Sequence, residues 1–139
     1  MRSYSPFAAL LLFCTLYLFG CDRNEIEKGS PDHIRQVTKD IDDITLLNAD
    51  QNHENWLTYG RNYNEDRYSE LDQISLDNIS ELGLAWAVEL GTKRGIQATP
   101  LVVDGIMFFT GPWSVVYAVD VRKGIIIWNT PGVRKKIGW

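Results

Sequence analysis

The sequence predicts an all-β chain preceded by short helices, and three observations carry that reading. Apolar residues recur with period two from Leu84 onward. Asp104-Gly105 stands between two apolar runs, the strongest short-range signal for a hairpin. Trp86 and Trp128 are 42 positions apart, each on a candidate strand, within the ~40–45-residue spacing of propeller blades. Patterning alone does not exclude a small sandwich, or a sheet with a helix packed on it.

The chain begins with Met1-Arg2 and an apolar run from Phe7 to Phe19. That run fits a signal-peptide core and falls below the ~18 residues of a membrane span. It ends at Leu18-Phe19-Gly20-Cys21, and polarity begins at once with Asp22-Arg23. Leu, then a small residue, then Cys resembles a bacterial lipobox, in which the Cys receives a lipid and becomes the mature N-terminus. Phe19 is bulkier than is usual there. Asp22 resembles the signal that keeps such lipoproteins at the inner membrane. Residues 1–21 are therefore expected to be a leader, Cys21 a lipidation site, and the location a periplasmic one at the inner membrane. An ordinary cleaved leader or an uncleaved anchor are the other readings.

Cys14 and Cys21 are the only cysteines, so lipidation of Cys21 leaves no disulfide to support the mature part. The net charge of -4 is modest and the one basic cluster is Arg134-Lys135-Lys136; nothing resembles a nucleic-acid footprint. The five tryptophans all lie after residue 55.

Residues 22–45 read as a polar tether followed by an amphipathic helix. Ser30-Pro31-Asp32 supplies a capping hydroxyl, a first-turn proline and an acid at the positive helix end. Ile34, Val37, Ile41 and Ile44 form its apolar stripe. Its acidic other face argues against lying on an anionic membrane and for packing on the main domain. Residues 50–67 are irregular and punctuated by Trp56, Tyr59 and Tyr63. Arg61 and Arg67 are expected to stack on such aromatics or pair with carboxylates. Ser75 opens a second short helix, with Ile74 and Ile79 as a staple and Gly83 as its stop. A strand is expected over 84–90, then strands at 101–103, 106–109, 115–119 and 125–128, separated by turns at Asp104-Gly105, Gly111-Pro112 and 120–124.

An ordered set of segments resembles a known family. These are Leu46-Leu47-Asn48-Ala49, Asn55-Trp56-Leu57-Thr58-Tyr59-Gly60-Arg61, Arg67-Tyr68-Ser69, Leu82-Gly83-Leu84-Ala85-Trp86, Ala98-Thr99-Pro100-Leu101-Val102-Val103-Asp104-Gly105 and Val116-Tyr117-Ala118-Val119-Asp120, ending at Gly124 and Trp128. Together they resemble the start of the pyrroloquinoline-quinone (PQQ)-dependent alcohol dehydrogenases of the methanol/ethanol dehydrogenase type. The resemblance implies an eight-bladed propeller in the periplasm that oxidises primary alcohols to aldehydes, with PQQ and calcium near its axis. It implies a cytochrome c or the membrane quinone pool as electron acceptor. Ala118, Asp120, Gly124 and Trp128 match the family's tryptophan-docking repeat, which makes them structural. The family's cofactor-contacting Glu before Ala-Thr-Pro is Gln97 here, which keeps hydrogen bonding but lacks charge. No catalytic carboxylate and no metal ligand of the family falls on this chain.

Eight blades need roughly 320–360 residues. On this reading residues 46–139 are the N-terminal segment and first blade region of that propeller, a fragment that by itself does not turn over. A second chain could complete the propeller. The competing readings are a lipid-anchored binding or assembly module using Trp113 and Tyr117, and a non-functional remnant. Further docking repeats and a catalytic carboxylate encoded beyond Trp139 would separate them.

Overall fold

The computed structural model describes residues 25–131. The expected leader, Cys21 with Asp22, and residues 132–139 with the basic cluster lie outside them.

Ser30 opens helix α1 (Pro31–Lys39), its hydroxyl accepting from the His33 amide at 3.1 Å. The expected apolar stripe does not run on through a single helix. The chain leaves the helix at Asp40, and Asp42 caps a second one, α2 (Asp43–Leu47), accepting from the Thr45 amide at 2.8 Å. A side chain that captures backbone donors starts a helix more effectively than apolar periodicity extends one. Ile44 is consequently 65% exposed, and His33 is the buried residue of α1.

Four strands follow as an antiparallel meander: β1 (Leu101–Val103), β2 (Ile106–Thr110), β3 (Val116–Asp120) and β4 (Ile125–Asn129), in the order β1-β2-β3-β4. Asp104 and Gly105 both take positive φ, 41° and 72°, as a two-residue hairpin turn matched to the sheet's twist requires. Ala118 faces Trp128 and Val119 faces Ile126, so Ile127 is a bulged residue on β4. Trp56 exchanges two backbone hydrogen bonds of 2.8 Å with Val102, covering part of the outer edge of β1. The core is small: Val103, Ile106, Tyr117, Ala118 and Val119, with Ala49 buried beside α2.

The all-β expectation is therefore wrong. The described residues form a mixed α/β arrangement of helices and an open four-stranded sheet, not a closed all-β propeller blade. Strand periodicity over 84–90 misled, because alternation supplies side chains for a face but no partner for the backbone. That segment runs irregular, with Leu84 86% exposed. The helix expected after Ser75 shrinks to a 3₁₀ turn (Ile79–Glu81), and Ile74 and Ile79 are both exposed rather than stapled.

Candidate functional site

The sheet has two ends with different chemistry. At one end lie the β1–β2 turn (Asp104-Gly105) and the β3–β4 turn (Val121 to Gly124), joined by a hydrogen bond of 3.0 Å from the Val121 amide to the Gly105 carbonyl. At the other end lie the start of β1, the β2–β3 turn and Gln97.

Gln97 is exposed in the irregular stretch before β1. Leu101 faces Phe108 in the β1–β2 register, and Gln97 stands four residues before Leu101, in the same irregular stretch as Arg94. There the Arg94 guanidinium lies 4.3 Å from the centre of the Trp113 ring, a cation–π contact. Trp113 and Ser114 both hold positive φ, 65° and 58°, a costly backbone state for side chains of that kind. On the neighbouring face is an open apolar hollow of about 400 Å³, lined by Tyr59, Thr99, Leu101, Phe108 and Phe109. Thr58 also lines it, and its hydroxyl oxygen is buried without a partner among the described residues.

The residues of the expected docking repeat lie on β3, β4 and the turn between them. Ala118 is fully buried and paired with Trp128, which is 46% exposed. Asp120 is 2% exposed, and its Oδ1 accepts from the Arg122 amide at 3.0 Å and from Arg122 Nε at 2.9 Å. Burial pushes the Asp120 carboxyl up, but the hydrogen bonds from Arg122 outweigh it and hold the group below the ordinary carboxylate range. Gly124 takes φ 65°, and the Trp86 indole packs directly on it.

The turn end carries a cluster that sequence reasoning missed. His33 is 3% exposed. Its Nδ1 accepts from the Gly29 amide at 3.2 Å, which leaves Nε2 to donate to Asp104 Oδ2 at 2.9 Å. Lys28 Nζ stands 3.8 Å from Asp104 Oδ1. The hydrogen bond from His33 holds the Asp104 carboxyl below its usual range, with Lys28 adding to it. Gly29, at φ 83°, fits so closely against the Asp120 carboxylate that a Cβ there would overlap it. Nothing in the sequence marks His33: one histidine inside a helix has no periodicity of its own.

Arg61 and Arg67 do what their surroundings suggested. Arg67 lies 4.4 Å over the Tyr59 ring. Arg61, 3% exposed, sits 3.5 Å from Asp50 and 3.3 Å from His53 Nδ1. Beside it the Asn62 amide donates to Asp50 at 2.8 Å and to Asp66 at 2.9 Å.

A neutral amide at Gln97 can hydrogen-bond the edge of a quinone. Among the described residues no group of three or more His, Cys, Asp or Glu side chains could hold a metal ion. No described helix is long and apolar enough to cross a membrane.

The family model for PQQ enzymes, described as glucose/ethanol/alcohol dehydrogenase, beta-propeller domain, matches residues 56–138. A quinohemoprotein alcohol dehydrogenase of Pseudomonas putida is 48% identical over 101 residues, which is 73% of this chain and 14% of the relative. The 1-butanol dehydrogenase (cytochrome c) of Thauera butanivorans is 53% identical over 74 residues, 53% of this chain and 11% of that protein. Among solved structures, the quinohemoprotein alcohol dehydrogenase from Comamonas testosteroni superposes with a TM-score of 0.64 at 44% identity, over 71% of this chain and 15% of that one. A europium-containing methanol dehydrogenase superposes with a TM-score of 0.56 at 35% identity, over 66% of this chain and 16% of that one. The chain thus spans between about one ninth and about one sixth of the length of these relatives. On its sequence and on its sheet, it belongs to the PQQ-dependent quinoprotein alcohol dehydrogenase family, matching the N-terminal region of its relatives.

Proposed function

We propose that this chain supplies the N-terminal part of a PQQ-dependent dehydrogenase that oxidises primary alcohols to aldehydes and passes the electrons to a respiratory acceptor, a cytochrome c or the quinone pool. The observation that carries the reading is the open sheet, led into by the stretch that holds Gln97, in a sequence that matches the N-terminal region of such enzymes. The exposed Leu76 and Leu84, at 94% and 86%, support it, because they offer apolar surface for further protein to cover.

Bound, the quinone supplies the two-electron acceptor chemistry of this enzyme class. Gln97 contributes a hydrogen-bonding amide to its edge. Arg94, 4.3 Å from the centre of the Trp113 ring, places positive charge beside the β2–β3 turn. Calcium ligands and the proton-accepting carboxylate come from protein outside the described residues. The proposal includes the division into a leader over 1–21 lipidated at Cys21, a tether and helix over 22–45, and an enzyme portion from 46 onward. It places the protein in the periplasm, held at the inner membrane by its lipid.

The test is a chimera. Residues 46–131 replace the corresponding segment of the Comamonas testosteroni enzyme, which is then loaded with PQQ and calcium. Alcohol-dependent dye reduction and quinone absorbance comparable to the parent are expected. A chimera that melts like the parent yet neither binds the quinone nor reduces the dye would sink the proposal.

A further inference from the structure

We propose that Asp104 is a latent site of covalent modification, the spontaneous conversion of aspartate to isoaspartate, and that His33 and Lys28 hold this chemistry in check in the folded chain.

The reaction needs an aspartate, an unhindered amide after it, and water. The Gly105 nitrogen attacks Cγ of the protonated Asp104 side chain. The N–Cγ bond forms, the Cγ–OH bond breaks, and the hydroxyl leaves as water with the amide proton. Another water then opens the cyclic imide. Opening at the main-chain carbonyl leaves the backbone running through Cγ, one carbon longer. Nothing is oxidised or reduced. Asp104-Gly105 is the only Asp-Gly or Asn-Gly pair in the chain. Glycine brings no Cβ to shield its nitrogen, and the Asp104 side chain is 50% exposed to water at the hairpin tip.

The same turn is fastened from several directions. His33 Nε2 donates to Asp104 Oδ2 at 2.9 Å, and Lys28 Nζ stands 3.8 Å from Oδ1. Both carboxyl oxygens are therefore engaged. The Asp104 amide donates to Asn55 Oδ1 at 2.9 Å, and the Gly105 carbonyl accepts from the Val121 amide at 3.0 Å. Ring closure must rotate the carboxyl about Cα–Cβ and the main chain about ψ, and these contacts oppose both rotations. His33 is buried and its ring is set by the Gly29 amide, so it does not follow a moving carboxylate. Its hydrogen bond also holds the Asp104 carboxyl below the usual range, which depletes the protonated form that closure consumes.

The product would undo the turn end. An added main-chain carbon at residue 104 unseats the Val103–Ile106 pair beside the hairpin turn and withdraws the acceptor from His33. A buried histidine bonded to an exposed turn aspartate thus protects the covalent backbone as well as the fold.

The test incubates the full chain in heavy-oxygen water at mildly acidic pH, folded and, in parallel, unfolded in urea. Fragmentation of the tryptic peptide 95–122 places the oxygen taken up, and an isoaspartyl methyltransferase counts the isoaspartate. Both signals are expected at residue 104 in urea and about tenfold more slowly, or slower still, in the folded chain, where closure waits on local opening. His33→Ala is expected to speed the folded reaction severalfold and Lys28→Ala less. His33→Gln, which keeps a donor, should stay near the parent rate. Asp104→Glu should give no signal, because its larger ring closes far more slowly. Absence of isoaspartate in urea would overturn the site. Equal rates in the folded and unfolded parent chain would overturn the protection, whatever the variants do. A His33→Ala chain that keeps its far-UV circular dichroism and the parent rate would overturn the role of His33. If that variant unfolds, the comparison is read from Lys28→Ala, at a side chain 68% exposed, and the parent rate there would overturn the clasp.

Discussion

Trp86 lies against Gly124 with its indole N–H donating to the Val121 carbonyl at 2.7 Å. An irregular segment is thereby fastened to the β3–β4 turn by one side chain. The fit depends on the missing Cβ: an added one would stand 2.6 Å from the indole, at a φ of 65° that favours glycine.

Gly124→Ala is expected to cost about 1–3 kcal/mol, combining backbone strain with displacement of the indole. Trp86→Phe, which keeps an aromatic ring but loses the donor, should cost about 0.5–1.5 kcal/mol. Urea unfolding followed by far-UV circular dichroism measures both. Equal stability of Gly124→Ala and the parent would show that the contact does not hold the segment in solution.

Breaking the clasp at His33 should loosen α1 before it loosens the sheet. His33→Ala leaves the Gly29 amide and an Asp104 oxygen without their partner, at a cost of about 1–3 kcal/mol. Hydrogen exchange is expected to accelerate over Pro31–Lys39 and to stay slow over Val116–Asp120. Uniform acceleration across both elements would contradict a local latch.

Acid should weaken the turn end. The Asp104 and Asp120 carboxyls are held below their ordinary range in the fold. A depressed carboxylate adds stability that is complete above its unfolded pKa, about 3.9, and is lost as pH falls through the folded value. The melting temperature should therefore hold steady from neutral pH to about pH 5 and decline below about pH 4. Asp104→Asn should flatten the decline. An identical acid profile in that variant would remove Asp104 as its source.

If the proposed function holds, exposed apolar side chains should matter only where further protein packs on them. Leu84→Ser is expected to change the stability of this chain by less than about 0.5 kcal/mol, since the side chain is already in water. In the chimera the same change should lower the melting temperature measurably. Indifference in both settings would mean that nothing covers Leu84.

Gln97→Ala should behave in the same divided way. It should leave the melt of the chain within about 0.5 kcal/mol, because the residue is exposed. In the chimera it should weaken quinone binding, read by titration of quinone absorbance. Gln97→Glu is expected to alter that affinity without altering stability.

The four strands were legible because their turns are spelled out chemically. Asp104-Gly105 and Gly124 demand positive φ, and apolar runs of the right length flank them. The Ser30 cap was legible for the same local reason. The fold class was not, because the strand expected over 84–90 has no backbone partner among the described residues while α1 and α2 form on caps alone. Long-range pairing is decided by what lies opposite, which period two does not encode. Asp104 read as a turn former and nothing more; its bond to His33 spans 71 positions, a distance over which no local pattern points. Gln97 drew notice only through the resemblance, since an exposed amide in an irregular stretch has no signature.

β4 has a consequence for how the protein is handled before it matures. Among the described residues it pairs on one side only, with β3, and it runs Ile125-Ile126-Ile127-Trp128 without a charge or a proline. Such an edge is a template for adding a strand from any neighbouring chain. The bulge at Ile127 interrupts its regularity and so hinders stacking of identical copies. Overexpression yield, and its rescue by a co-expressed holdase, is therefore expected to be a sensitive reporter of that edge.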